Sequence, residues 1–141
     1  MGASGLYQPA GHGLVLASDD GTVTWLSREL APCRITLRFV REAADAVRIL
    51  VVDPPPRPQI LIADFDALSA GELLDLHAIR EQGWFGTLIA LGSTPPALCA
   101  SLNIEHALVR PLDAKSLRRA VSAAHLAQPT TKMPRVAPRT R

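Results

Sequence analysis

Five short aliphatic runs, each followed by a stretch with helical spacing or helix-start signals, constrain this chain more than any other feature. The runs fall at residues 14–17, 35–40, 60–63, 88–91 and 107–109. Runs this short, bounded by turn-forming residues, suit strands buried on both faces, as a parallel sheet requires. After the first run, Val23, Leu26 and Leu30 share one helical face; after the last, Leu117, Ala120, Val121 and Ala124 do the same. Ser69 and Glu72 form a capping-box pair, and Thr94 before Pro95 predicts another helix start. Asp113 is placed to cap the last helix, with Leu112 and Leu117 as its hydrophobic staple. Residues 41–52 are the least regular. Their early part has helical spacing, residues 49–52 also read as a strand, and the prolines between Pro54 and Pro58 force a loop. We take 41–52 as the second helix, because the distance to the run at 60 then completes a regular unit.

The sum is an α/β chain of five βα units. Right-handed crossovers wind such units into a flavodoxin-like, doubly wound (βα)5 fold with a five-stranded parallel sheet. The chain has 141 residues, enough for one core without disulfides or structural metal. Aromatic residues make up only 4%, so aliphatics and alanine must build that core. We divide the chain into a flexible arm at 1–13, one α/β domain at 14–127 and a Pro-containing basic disordered tail or linker at 128–141. Lys132, Arg135, Arg139 and Arg141 are four of the 15 basic residues, and no acid follows Asp113; the remainder therefore carries 11 basic against 13 acidic residues. A mildly acidic body argues against nucleic-acid binding except through the basic tail. No apolar run approaches the roughly 18 residues that span a bilayer, so no membrane role and a cytoplasmic location are expected.

Chemistry in such a sheet gathers beyond the carboxyl ends of the strands. Asp19 and Asp20 follow the first strand, Asp64 and Asp66 the third, Gly92 and Ser93 the fourth, and Arg110 and Pro111 the fifth. Carboxylates converging at one edge repel one another unless a cation neutralises them, and an oxygen-rich set favours a hard ion such as magnesium (Mg2+). The four histidines, His12, His77, His106 and His125, lack metal or triad spacing and read as polar surface. Cys33 and Cys99 share no ligand spacing either. Trp84 and Phe85 precede the fourth strand and are expected to cover the sheet edge.

Residues 14–126 resemble a response-regulator receiver domain of two-component signalling. The acidic pair in LVLASDD, the aspartate ending ILIADFD, the GTLIALGS strand and the VRPLD turn carry the resemblance. It implies a phosphoacceptor at Asp64, with weakly bound magnesium held by Asp64, Asp20 and Asp19 and by the backbone carbonyl of Asp66. It also implies a non-enzymatic module whose partner is another protein, either a signalling or scaffold protein or a second copy of the chain. Leu98, Leu102 and Arg118 would then be candidate contacts on the face formed by the fourth helix, fifth strand and fifth helix.

Departures from the receiver pattern fall on its switch positions. Arg110 stands where a lysine is usual, Gly92 where a hydroxyl residue is usual, with Ser93 beside it, and Ala107 where an aromatic switch residue is usual. The loop from Asp64 reaches Gly71 one position early, and Leu68 replaces its proline. Losing the ammonium and hydroxyl contacts removes about 1–3 kcal/mol each from phosphoryl binding. We therefore expect an atypical receiver with impaired or absent phosphorylation switching, rather than a phospho-accepting one using Asp64 and magnesium. Arg110 is expected to fork onto Asp64 or Asp20 as a built-in counter-ion. An enzymatic alternative uses the same residues: Asp64-Phe65-Asp66 is similar to the nucleophile motif of haloacid-dehalogenase phosphatases, with Ser93 as a second motif. Leu68 and the lack of a downstream acidic pair count against it.

Overall fold

The structure, a computed structural model, describes residues 11–127, with side chains described through residue 124. The expectations for residues 1–10 and for the tail at 128–141 lie outside the described residues.

Five parallel strands form one sheet in the order β2-β1-β3-β4-β5. They are β1 (Gly11–Leu16), β2 (Ile35–Val40), β3 (Ile60–Asp64), β4 (Thr87–Leu91) and β5 (His106–Leu108). The helices are α1 (Asp20–Leu30), α2 (Ala43–Val47), α3 (Ala70–Glu81), α4 (Pro96–Leu102) and α5 (Ala114–Ala127). The doubly wound architecture follows from period-two alternation in strands with two apolar faces. Leu14, Leu16, Leu61, Ala63 and Leu88 pack with Ala46, Leu76, Ile79 and Leu102. Val15, Ile60, Ile62, Ile89 and Leu91 point the other way, against Leu26 and Leu30 of α1 and Leu117, Val121 and Ala124 of α5. Burying each large side chain contributes about 1.5–3 kcal/mol, and nearly all of this falls on aliphatic residues.

Several boundaries differ from the sequence reading. Strand β1 begins at Gly11, so the end of the expected arm is sheet, paired with Ile35 onward in β2. Strand β5 includes His106 and ends at Leu108, leaving Val109 66% exposed beyond it. The second helix starts at Ala43 and loosens into a π turn at Arg48–Val52, closed by Asp53 N–H donating to the Arg48 carbonyl at 2.8 Å. Thr94 does not start α4. Pro95 takes the N-cap position and Pro96 the first turn, where a missing N–H costs nothing.

The other helix signals act as read. Ser69 Oγ accepts from Glu72 N–H at 3.2 Å, and Glu72 Oε1 accepts from Ser69 N–H at 3.1 Å. Asp113 Oδ2 accepts from Ser116 N–H at 2.9 Å, which together with the Ser116 hydroxyl holds its carboxyl below the ordinary value. The Trp84–Phe85 pair is split. Trp84 is buried and donates from Nε1 to the Pro58 carbonyl at 2.8 Å, whereas Phe85 is 78% exposed. Gly86 makes the Trp84 placement work, since a Cβ there would overlap the Gln59 carbonyl and the indole ring.

Candidate functional site

The carboxyl ends of β1, β3, β4 and β5 meet as expected, but their side chains sort into separate bonded groups. Asp64 ends β3 and is only 3% exposed. Arg110 follows β5 and lays its guanidinium across that carboxylate, with Nη1 3.3 Å from Oδ1 and Nη2 3.4 Å from Oδ2. Nη1 also donates to Asp66 Oδ2 at 2.6 Å. Burial opposes the charge on Arg110, but bonds to Asp64 and then Asp66 outweigh it and raise the pKa above the ordinary guanidinium value. The expected counter-ion contact is therefore present on Asp64, with Asp66 rather than Asp20 as the second acid.

Asp66 sits in the 3-10 turn Phe65–Ala67. The sequence reading gave it a backbone role; in the structure its side chain enters the site. Its Oδ1 accepts from Ser93 N–H at 3.1 Å. Gly92 lies beneath this carboxylate at φ 103°, and a Cβ there would stand 2.6 Å from Asp66 Oδ1. Gly92 thus supplies both a left-handed turn and room for the acid. Ser93 takes part through its backbone N–H, which gives no support to a phosphatase-like hydroxyl role.

Asp19 and Asp20 are engaged elsewhere. Asp19 is the N-cap of α1, accepting from Thr22 N–H at 2.8 Å and from the Thr22 hydroxyl at 2.9 Å. The Thr22 N–H bond, then the Thr22 hydroxyl bond, hold its carboxyl below the ordinary value. Asp20 pairs with Arg41, which also donates to the Ser18 carbonyl at 2.7 Å. Of the four acids expected to converge on one cation, Asp19 meets Thr22, Asp20 meets Arg41, and Asp64 and Asp66 share Arg110. Among the described residues no group of three or more His, Cys, Asp or Glu side chains is placed to share a metal ion. In this arrangement the donors do not fit magnesium, since a guanidinium covers both oxygens of Asp64. Arg41 was missed because its partners lie more than twenty residues back in the chain.

The candidate partner residues differ in exposure. Leu102 is fully buried in the core, and Leu98 is half-buried against it. Arg118 donates to Glu29 Oε1 at 2.8 Å, turning across to α1. Ala107, exposed in β5 and paired with Ala90, leaves its position without a large side chain. What remains open on this face is a cleft of about 350 Å³ lined by His106, Leu108, Ser116, Arg119, Ala120 and Ala123.

No protein-family model and no curated protein sequence matches this chain. Solved structures do match it. The Vibrio cholerae chemotaxis protein CheY4, crystallised at low pH, superposes with a TM-score of 0.68 at 15% identity, covering 81% of this chain and 98% of that one. A signal receiver domain of an HD domain-containing protein from Pseudomonas fluorescens gives 0.67 at 25% identity, covering 81% and 93%. The receiver domain of the Saccharomyces cerevisiae response regulator Ssk1, co-crystallised with the histidine phosphotransfer protein Ypd1, gives 0.71 at 13% identity, covering 88% and 94%. This chain has the fold of a response-regulator receiver domain.

Proposed function

We propose that this receiver-fold chain is a signalling module that works by binding another protein in a fixed conformation, without an Asp64 phosphorylation switch. The observation that carries this reading is the state of Asp64. Its side chain is 4% exposed and both its oxygens face the Arg110 guanidinium. A carboxylate oxygen must reach the phosphorus of a donor to accept a phosphoryl group, and here the Arg110 guanidinium stands against both oxygens of a buried side chain. Receivers as a class hold magnesium at this place; here Arg110 supplies the neutralising charge instead. A guanidinium keeps its charge throughout and forks onto carboxylates, which favours one stable arrangement. Support for a protein partner comes from the Ssk1 receiver, which was crystallised with a phosphotransfer protein. Among the described residues no helix is long and apolar enough to cross a membrane.

The contact face we assign is the cleft beside β5 and α5, where Arg119 is exposed and His106 and Leu108 are half-buried. With the partner isolated by crosslinking from the native cell, affinities of variants test the reading. Asp64→Asn is expected to bind like the parent chain, and Arg119→Glu about tenfold more weakly. The reverse ranking would mean that the phosphoacceptor position governs binding, and the reading would fail.

A further inference from the structure

One carboxylate ties three loops together at the carboxyl edge of the sheet. Asp66 lies after β3, Ser93 after β4 and Arg110 after β5. Asp66 Oδ1 accepts from Ser93 N–H at 3.1 Å, and its Oδ2 accepts from Arg110 Nη1 at 2.6 Å. Gly92, at φ 103°, offers a floor with no Cβ. A backbone amide and a guanidinium converging over a glycine are the elements from which proteins build oxyanion sites. Here the oxyanion belongs to the chain itself.

We propose that Asp66 is a resident ligand, whose carboxylate fills an oxyanion seat made by Ser93 N–H and the Arg110 guanidinium over Gly92. The seat's ligand class is a carboxylate or phosphate oxyanion, and the tethered carboxylate outcompetes free anions. A side chain held two residues from the end of β3 has a high effective concentration at the seat, so a diffusing anion must exceed it to enter. The three loops are thereby held in an anion-bound arrangement with no diffusible anion present. This deepens the fixed-module reading, on which it rests, by naming the anion that does the fixing. It also joins two departures into one adaptation. Any residue larger than glycine at position 92 would put its Cβ into the space that the Asp66 carboxylate occupies.

The probe is inorganic phosphate, followed by the backbone amide resonances of Gly92 and Ser93 and by thermal melting. The parent chain is expected to show no saturable response at millimolar phosphate. Asp66→Ala is expected to respond saturably, with the Ser93 amide shifting most, and to lose the response when Arg110→Gln is added. A second measurement guards against a variant that merely loosens the fold. Gly92→Ala should shift the unfolding equilibrium of the parent about tenfold more than that of Asp66→Ala, because only the parent has a carboxylate to strike. A folded Asp66→Ala that ignores phosphate, or equal Gly92→Ala penalties in the two backgrounds, overturns the proposal. Neither measurement uses a phosphodonor or a partner. Labelling of Asp64 in the parent chain would therefore sink the functional reading while leaving the seat to be judged on its own results.

Discussion

Arg110→Ala is expected to lower the stability of the domain by about 2–4 kcal/mol, measured by urea unfolding. The size follows from the partner left behind. Asp64 is 3% exposed, so its carboxylate loses its cation in a place water barely reaches. Removing one member of a buried ion pair costs about 3–5 kcal/mol. The Arg110 side chain is 39% exposed, and solvent screening on that side moves the expectation toward the lower figure. Magnesium should recover part of the loss, because the vacated place then offers Asp64 and Asp66 to a hard cation and binding to the folded form adds stability by linkage. The parent chain, whose place is filled by the guanidinium, should gain much less from the same magnesium. Arg110→Lys is expected to fall between, since one ammonium cannot fork across Asp64 while also holding Asp66. A loss below about 1 kcal/mol would mean that the pair behaves as an ordinary surface bridge.

Arg80→Ala should be comparably damaging for a different reason, and its effect should stay far from the acids. The Arg80 guanidinium donates to four carbonyls: Leu102 at 2.8 Å, Gly86 at 2.7 Å, Asn103 at 3.0 Å and Trp84 at 3.3 Å. It also lies 5.1 Å from the centre of the Trp84 ring. Burial lowers its pKa below the ordinary guanidinium value, against a smaller opposing pull from Glu105. One side chain thus closes the carboxyl end of α4, where Asn103 turns the chain at φ 56°, onto the loop that leads into β4. Charged hydrogen bonds contribute about 1.5–3 kcal/mol net, and the aromatic contact adds about 1 kcal/mol. We expect a loss of about 2–4 kcal/mol in urea unfolding, with Arg80→Lys recovering little because an ammonium cannot reach four carbonyls at once. The amide resonances of Asp64 and Ser93 should hardly move. A loss no larger than that of an exposed arginine would contradict the clamp.

How much of this could be read beforehand depended on whether a feature is local. The aliphatic runs of β1, β3 and β4 carry their own signal, because a strand buried on both faces has no polar alternation to hide it. The edge strands β2 and β5 expose alternate residues rather than burying both faces as expected. The Ser69–Glu72 box and the Asp113 cap were equally legible, since each is settled within four residues. Leu102 was expected on the surface and is buried, because helical spacing gives a face but not its phase and α4 is only seven residues long. Arg118 could not be placed from sequence, as its partner Glu29 lies 89 positions away. The acidic set at the strand ends was found, but the protein donors that each acid meets were not. Asp19 has a cap to make within three residues, and Asp20 has Arg41. The Asp66 side chain was overlooked although a signal was present: a glycine where a hydroxyl residue is usual leaves room that some other group must fill.

The central claim is that Asp64 is held by Arg110 and does not accept a phosphoryl group. Its most direct test is intact-mass measurement of the parent chain after incubation with a small phosphodonor and magnesium, with amide spectra recorded in parallel. The account predicts no added phosphoryl mass and no displaced resonances around Asp64, Ser93 and Arg110. A stoichiometric phosphoryl adduct that Asp64→Asn abolishes, with resonances moving along β4 and β5, would contradict it.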